Sequence, residues 1–288
     1  MEGPLLCLVN PASGRGRALA KARAFRDLLV RAGREVSLEE SREPGWMARR
    51  AAQADAGTAA VIAVGGDGTV NEVARGLAGR GIPLAVLPAG TLNLLARVYR
   101  LPEDPEGLIQ LLHGGKTLPL DLGTAGERVF LSCAGAGFDA EVIRSLHRSR
   151  RGPIRIWHYL PHLLAQLARP LSPRIRAHLD GKDPGAFSQV IVGNLPLYAG
   201  ILRFTPDARA DDGLLDVALF RGGRRRDLLR YAAAAAWGRR ADDVLLRRAR
   251  EVRLEAPDPL PLQLDGDEAG TLPALLSVRP AAIRLVVP

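Results

Sequence analysis

The first third of the chain alternates short apolar runs with stretches of helical spacing. Leu5 to Asn10 is an apolar run of strand length. Gly16 to Arg31 follows, with Leu19, Ala22, Phe25, Leu28 and Leu29 at three- and four-residue intervals. That spacing predicts a helix with one buried face. Val36 to Glu39 predicts a short strand, Trp46 to Ala54 a helix, and Ala59 to Val64 a buried strand. A glycine turn then leads into a helix from Val70 to Leu77. Pro83 to Leu87 predicts a strand, and another turn leads into a helix from Leu92 to Tyr99. Buried strands alternating with helices build βαβ units on a parallel sheet.

The pattern changes after Asp121. Short β-type runs dominate: Val129 to Cys133, Arg174 to Leu179, Gln189 to Asn194, Leu215 to Phe220, Val252 to Leu254, and Leu260 to Leu264. Gly, Pro and Asp-Gly turns separate them, which predicts a mainly β domain of sandwich type. Two helical inserts interrupt it, Ile154 to Leu167 and Arg225 to Trp237. Ala281 to Val287 is β-type again. The expected fold class is therefore α/β plus mainly β. One domain spans residues 1–122, with the tail 275–288 returning to it, and a β-rich domain spans 123–274. A length of 288 residues suits such a division.

Composition changes this picture in three places. The uncharged stretch Gly3 to Ser13 has no basic segment ahead of it, and no run reaches the ~18 apolar residues of a membrane span, so neither a secretory leader nor a spanning helix is expected. Cys7 and Cys133 sit in apolar runs and read as buried free thiols, and no Cys/His cluster has zinc-ligand spacing. The 40 basic and 31 acidic residues leave a net charge of +9, and only Lys21, Lys116 and Lys182 among the basic residues are lysines. A basic surface attracts anionic membranes or nucleic acid. No nucleic-acid module accompanies the charge, so a membrane partner is expected and nucleic acid is not.

The candidate chemistry lies in three strand-to-helix turns: Asn10-Pro11-Ala12-Ser13-Gly14, Gly65-Gly66-Asp67-Gly68-Thr69 with Asn71 and Glu72 after it, and Pro88-Ala89-Gly90-Thr91-Leu92-Asn93. In a parallel sheet all three lie at the carboxyl edge, where α/β folds bind ligands. Each presents backbone N–H groups at a helix start, with the positive end of the helix dipole behind them. Glycines let a phosphate approach without a Cβ in the way. Thr69 and Thr91 can cap the helices or donate to phosphate oxygens. One such turn is ordinary connection; three at one edge favour a nucleotide site. Neither the Gly-x-Gly-x-x-Gly pattern nor a Gly-Lys-Ser/Thr loop is present. Asp67 among phosphate cradles suggests that Mg²⁺ is there to offset its charge.

Gly-Gly-Asp-Gly-Thr after a buried strand resembles the diacylglycerol kinase catalytic superfamily, which includes bacterial lipid kinases and the sphingosine and ceramide kinases. NAD kinases and phosphofructokinases share part of this loop. Asn10-Pro11-x-Ser13-Gly14 looks like the lipid kinases' first nucleotide-contacting turn, and Pro88-x-Gly90-Thr91-x-Asn93-x-x-Ala96-Arg97 like their third. Asp121-Leu122-Gly123 and Gly135-x-Gly137-Phe138-Asp139-Ala140 match two further family patterns. Thr205-Pro206-Asp207-Ala208 through Asp211-Asp212-Gly213-Leu214-Leu215-Asp216 is similar to the stretch that wraps a structural Mg²⁺ in bacterial members. Leu264-Asp265-Gly266-Asp267 resembles the family's Asp-Gly-Glu motif.

The resemblance implies a three-layer parallel-sheet nucleotide domain, a β-sandwich-like domain, and an active site in the cleft between them. It implies ATP and Mg²⁺ as cofactors and a lipid hydroxyl as acceptor. ATP would meet Asn10, Pro11, Ser13, Gly14, Ser41, Gly65, Gly66, Asp67, Gly68, Thr69, Asn71, Glu72, Gly90, Thr91 and Asn93. Asp265 would be the general base, although an Asp-Gly pair by itself reads as a hairpin turn. Asp67, Asp121 and Asp267 could hold the catalytic Mg²⁺ directly or through water. Asp212, with the carbonyls of Arg209 and Leu214, would hold the structural ion.

The sequence departs from the family pattern in three places. Asp267 stands where the family has Glu, with Glu268 beside it. Leu94 stands where bacterial diacylglycerol kinases often carry an acidic residue. Ser41 stands in place of a Thr near the nucleotide. An NAD kinase would explain the second loop but not the first loop, the 205–216 stretch or the Asp265 turn. A non-catalytic nucleotide- or lipid-binding protein of the same fold is the other alternative. The five histidines have no partner at catalytic spacing. Arg144, Arg148, Arg150, Arg151 and Arg155 lead into Ile154, Ile156, Trp157, Tyr159 and Leu160. Arg224, Arg225, Arg226 and Arg230 precede Tyr231 and Trp237. Both inserts suit an anionic lipid surface or an ordinary packed amphipathic helix. The expected setting is the cytoplasm, peripherally at the inner face of the membrane, with a homodimer left open.

Overall fold

A computed structural model describes residues 1–149, 161–162, 164–166 and 175–288 of the chain. The chain divides into two compact units, residues 1–122 with 280–288, and residues 123–279. The fold class matches the expectation: a parallel α/β unit and an antiparallel β unit.

In the first unit the strands β1 (Leu5–Val9), β2 (Val36–Glu40), β3 (Ala60–Gly65) and β4 (Pro83–Pro88) pair in parallel, in the order β2-β1-β3-β4. Every residue of β1 and β3 is buried, as a sheet covered on both faces requires. Register places Val9 beside Val64 and Gly65 beside Pro88, so the three strands end level and their turns share one edge.

Helix α1 (Arg17–Arg31) buries Ala18, Ala22, Phe25 and Leu29, one stripe of the predicted face. It stops where Gly33, at φ 69°, lets the Arg34 amide reach the Leu29 carbonyl. Full burial of Phe25 contributes about 2–3 kcal/mol. Helix α2 is Trp46–Ala52 and helix α3 Asp67–Leu77, so α3 begins at Asp67 itself rather than at Val70. Helix α4 is Leu94–Tyr99. Helix α5 (Pro105–Gly114) lies in a stretch for which periodicity predicted no element, yet its local signals are complete. Asp104 caps the Gly107 amide at 2.8 Å, Pro105 is at the start, and Gly115 closes the end at φ 66°.

The second unit is a sandwich. One sheet is wholly antiparallel, in the order Val244–Ala249, Leu215–Phe220, Gln189–Gly193, Cys133–Ala136, Pro261–Leu264, Asp267–Thr271. The other pairs Glu251–Glu255 with Ile175–Leu179 and with Ala274–Ser277. Ile175, Ala177, Val252, Leu254 and Leu276 from one sheet share a core with Val190, Val192, Leu215, Val217 and Leu262 from the other. Periodicity missed Lys182–Phe187, Val244–Ala249 and Asp267–Thr271, all of which carry charged residues on exposed positions. It also missed α6 (Phe138–Ser149), whose Ala140, Val142, Ile143 and Leu146 are buried.

The final β segment is longer than expected. It runs Ala274–Val286, pairing with Glu251–Glu255 at its start and with β4 at Arg284 and Leu285. The predicted insert Ile154 to Leu167 lies outside the described residues, apart from helical 161–162 and 164–166. The second insert is helix α7 (Arg225–Ala236).

Candidate functional site

The three glycine-bearing turns of the first unit are built as one structure. The Asn10 amide donates to the Val64 carbonyl at 3.1 Å, and the Ala89 amide to the Gly65 carbonyl at 2.8 Å. Asn10 Oδ1 accepts from the Ala12 amide at 3.1 Å, and its Nδ2 lies 3.5 Å from Thr69 Oγ1. Gly14 has φ 59°, and a Cβ there would meet the Ala89 carbonyl oxygen at 2.2 Å. A Cβ on Gly90 would lie 2.5 Å from the Gly66 Cα. These glycines are demanded by the approach of one turn to the next.

Gly68 is different. A Cβ there would meet nothing within 4 Å, so its bare face opens away from the protein. It lies in the first turn of α3, which has no side-chain cap. An uncapped helix start with an unobstructed glycine fits a phosphate, because the first-turn N–H groups lack intrahelical partners and the dipole favours an anion.

Asp67 has a structural task. Its Oδ2 accepts from the Asn93 amide at 2.9 Å and its Oδ1 from the Leu94 amide at 2.5 Å. It thus caps α4 across the sheet edge. Burial pushes its carboxyl up, opposed by those amides and by Arg97. Asn93 Oδ1 accepts from the Gly90 amide at 2.9 Å, closing the third turn on itself. Thr91 is exposed in that turn, and Pro11 and Ser13 are half-buried in the first. The Ser41 amide donates to the Val9 carbonyl at 2.9 Å, which sets Ser41 beside the first turn. Glu72 turns elsewhere and accepts from the Gly45 amide at 3.1 Å. Asn71 Oδ1 is buried without a hydrogen-bond partner among the described residues. Lys21 had no sequence signal, yet its Nζ donates to the carbonyls of Pro88 at 2.7 Å and Glu103 at 2.6 Å, bracing the third turn.

Asp121 is buried, and its Oδ1 accepts from the amide of Ala281, a residue at φ 49°. Among the described residues no three His, Cys, Asp or Glu side chains are grouped to hold a metal ion. Asp67, with both oxygens accepting amides, and Asp121 are thus not part of a cage of protein carboxylates among the described residues.

In the second unit Asp265 and Gly266 form a two-residue hairpin between paired Leu264 and Asp267. Both have positive φ, 50° and 86°, as a type I′ turn requires. The hairpin expected of an Asp-Gly pair is thus present. The Asp265 carboxylate is gripped by consecutive main-chain amides: Leu131 to Oδ2 at 2.7 Å, Ser132 and Cys133 to Oδ1 at 2.8 Å each. Asn194, fully buried, supports that segment by donating from Nδ2 to the Leu131 carbonyl at 2.9 Å.

Asp267 is exposed, and His147 Nε2 of α6 lies 3.5 Å from its Oδ1. Spacing along the chain suggested no partner for His147, because the two residues meet only when α6 packs beside the hairpin. His162 Nδ1 likewise lies 2.9 Å from Ser145 Oγ. Both thiols are buried; burial pushes Cys7 up to about 12 and raises Cys133 as well.

The 205–216 stretch brings Asp207, Asp212 and Asp216 around Arg248. Its guanidinium lies 3.2 Å from Asp216 Oδ1, 3.8 Å from Asp212 Oδ2 and 3.2 Å from the Asp207 carbonyl. Asp212 Oδ1 accepts from the Leu214 amide at 3.1 Å, while the Arg209 side chain pairs with Asp211. Burial raises the Asp216 carboxyl against the pull of Arg248, and its Oδ2 is buried without a hydrogen-bond partner among the described residues. The cation that serves these carboxylates among the described residues is the Arg248 guanidinium.

Residues 4–125 match the family model for the diacylglycerol kinase catalytic domain, and residues 132–287 that for the YegS C-terminal NAD kinase beta sandwich-like domain. A Mycobacterium tuberculosis protein named diacylglycerol kinase is 34% identical over 298 residues, covering 99% of this chain and 96% of that protein. A Staphylococcus carnosus protein of the same name is 28% identical over 278 residues, with 93% and 89% covered. The crystal structure of a diacylglycerol kinase from Bacillus anthracis str. Sterne shares the fold, with a TM-score of 0.79 at 23% identity over 99% of this chain and 97% of that one.

Proposed function

Because the chain belongs to the diacylglycerol kinase catalytic-domain family and is an ATP-dependent lipid kinase, we propose that it transfers the γ-phosphate of ATP to the free hydroxyl of a diacylglycerol or related lipid alcohol, with Asp265 as proton acceptor. The observation that carries this reading is the grip of three main-chain amides on the Asp265 carboxylate. An ionised carboxylate offers about four lone-pair positions. Three donors fix the plane of the carboxylate and hold both of its oxygens in place. A flexible surface Asp in a hairpin needs no such grip.

The chemistry balances simply. The lipid hydroxyl oxygen bonds to the γ-phosphorus as the bond from that phosphorus to the β–γ bridging oxygen breaks. ADP leaves, and the hydroxyl proton passes to Asp265. The uncapped start of α3 and the bare face of Gly68 receive phosphate oxygens, with Asn10, Ser13, Gly14, Gly90 and Thr91 around them. A Mg²⁺ accompanying the nucleotide would supply charge neutralisation, and Asp67 and Asp121 are the carboxylates that would serve it. Asp267, paired with His147, takes the place of the family's Glu. Asp212, with the Arg209 and Leu214 carbonyls, would hold a second Mg²⁺, which would serve to brace the 205–216 stretch.

The enzyme works at an anionic membrane surface, as a peripheral cytoplasmic protein. Among the described residues no helix is long and apolar enough to cross a membrane. On α7, Leu229 is 61% and Trp237, at its end, 83% exposed. Ile201 is 65% exposed, in a loop whose Arg203 amide donates to the Ala235 carbonyl of the same helix at 3.1 Å. Exposed Arg225, Arg226, Arg239 and Arg240 surround these apolar residues along the chain. Trp and Arg side by side suit a lipid interface.

The experiment is unbiased as to acceptor. The protein is incubated with γ-labelled ATP, Mg²⁺, NAD and a total lipid extract, and the labelled product is identified. A phosphorylated diacylglycerol is expected from the wild type and none from Asp265→Asn, with ATP affinity within about twofold. Labelled NAD with no labelled lipid refutes the acceptor, and near-full turnover by Asp265→Asn refutes the base.

A further inference from the structure

Beneath the Asp265 hairpin lies a buried polar chain that neither the phosphate chemistry nor the sandwich core requires. Gln263 is 1% exposed on the strand Pro261–Leu264. Its neighbours Leu262 and Leu264 point into the sandwich core, so Gln263 points to the opposite face. There its Oε1 accepts from the Gly266 amide at 2.9 Å, and its Nε2 donates to Asp139 Oδ2 at 3.2 Å. Tyr198 donates its hydroxyl to the same Asp139 oxygen at 3.2 Å.

Both ends of Gln263 are dictated. Gly266 offers only an N–H, and Asp139 offers an ionised or hydrogen-bonded oxygen, so the buried amide has one orientation that satisfies both. Gly135 is part of the same design. A Cβ there would lie 2.0 Å from Asp139 Oδ2 and 2.8 Å from Gln263 Nε2. An apolar residue at 263 would fill the space, but it would leave the half-buried Gly266 amide without its acceptor and the buried Asp139 carboxylate with one donor fewer.

We propose that Gln263, oriented by Asp139, is a positioning residue for the proton acceptor: it holds the Asp265-Gly266 turn from below while the amides of residues 131–133 hold the carboxylate from the side. The proposal rests on the reading of Asp265 as base. Asp265 at φ 50° and Gly266 at φ 86° occupy left-handed backbone, which a two-residue hairpin tolerates only if both residues stay there together. Gln263 fixes the second of them directly. Asp139 sits in the first turn of α6, so the turn is referenced to a helix as well as to a strand. A carboxylate misplaced by ~1 Å loses much of its rate.

The test is an exchange of partners, read by lipid phosphorylation kinetics and by melting. Gln263→Glu removes the donor to Asp139 and sets two carboxylates together. A loss of kcat of about tenfold or more is expected, with KM for ATP within about twofold. Asp139→Asn alone keeps an oxygen for Gln263 and Tyr198, so its kcat should stay within about threefold of wild type. The double variant Gln263→Glu/Asp139→Asn restores the pairing with the roles reversed: the introduced amide at position 139 donates and the introduced carboxylate at position 263 accepts. It should recover most of the lost kcat. Gln263→Met, neutral and of similar length, should fold and show the same loss of kcat without a change in KM for ATP. The proposal is overturned if Gln263→Met and Gln263→Glu both keep wild-type kcat, or if the folded double variant is no faster than Gln263→Glu. Asp265→Asn is run beside them. If it stays active, the base assignment fails whatever the Gln263 variants do.

Discussion

Gly90→Ala tests whether the three turns act as one nucleotide cradle. Its added Cβ would lie 2.5 Å from the Gly66 Cα and 2.8 Å from Asn93 Oδ1. Carbon atoms rest at about 3.5–4 Å, so the second and third turns must part by about 1 Å. The neighbours are backbone and a hydrogen-bonded amide, which yield only by breaking the bonds that join the turns. Those at risk are Ala89 to Gly65 at 2.8 Å and Gly90 to Asn93 at 2.9 Å. Gly90 does not have a positive φ, so the effect comes from space and not from backbone strain. Overpacking of this kind destabilises by about 1–3 kcal/mol. A shift of ~1 Å in groups that hold the transferred phosphoryl costs up to about a hundredfold in rate. A lower melting temperature and a fall of roughly 10- to 100-fold in kcat/KM for ATP are therefore expected together. The partner variant is Gly68→Ala, whose Cβ meets no protein atom within 4 Å. It should melt like wild type yet show a raised KM for ATP, because what it displaces is phosphate. Steady-state ADP release at varied ATP, with a melting curve for each variant, supplies the readout. Wild-type KM for ATP in both variants would refute the cradle.

Asp139 links the second unit to pH. Burial raises its carboxyl from an ordinary 3.8 to about 6. Between those values the folded state binds the proton more tightly than the unfolded chain, so stability falls as pH rises through about 4 to 6; at neutral pH the buried charge destabilises by about 3 kcal/mol. Asp139→Asn should therefore resist urea better than wild type at neutral pH and lose that advantage near about pH 4; a pH-independent difference would count against a buried ionised Asp139. Gly135→Ala, which forces a Cβ to 2.0 Å from Asp139 Oδ2, should lower the melting temperature, and a variant as stable as wild type would show that the network relaxes freely. Mg²⁺ should raise the melting temperature of wild type but not of Asp212→Ala, and an equal response in both would argue against a cation at the 205–216 stretch. Trp237→Ala with Leu229→Ala should weaken binding to anionic vesicles, measured by co-sedimentation, while turnover of a detergent-dispersed lipid stays within about twofold; unchanged vesicle binding would move the membrane face elsewhere.

The chain order of elements in the first unit was legible because it depends on short-range signals. Full burial gives continuous apolar strands such as Leu5–Val9 and Ala60–Gly65, and a one-sided helix gives the Ala22, Phe25, Leu29 spacing. The glycine turns were legible for the same reason. In the second unit the signal weakens. Strands with one wet face, such as Val244–Ala249 and Asp267–Thr271, carry charges that dilute the alternation. The exception in the first unit is helix α5, which passed unread although Asp104, Pro105 and Gly115 spell out its ends.

What the sequence could not decide is which atom answers which. It showed Asp67 as a carboxylate among phosphate turns; packing committed both of its oxygens to the amides of Asn93 and Leu94. It showed Asp265 in a hairpin; the register of Pro261–Leu264 against Cys133–Ala136 brought amides more than 130 residues away onto that carboxylate. Nothing along the chain connected Gln263 with Asp139, or His147 with Asp267. The physical reason is one of range. Periodicity, turn chemistry and helix capping act over a few residues and are written locally. Partnerships between buried polar atoms are fixed only when strand register and helix packing have placed both ends, and they hold because a buried group without its partner destabilises the fold.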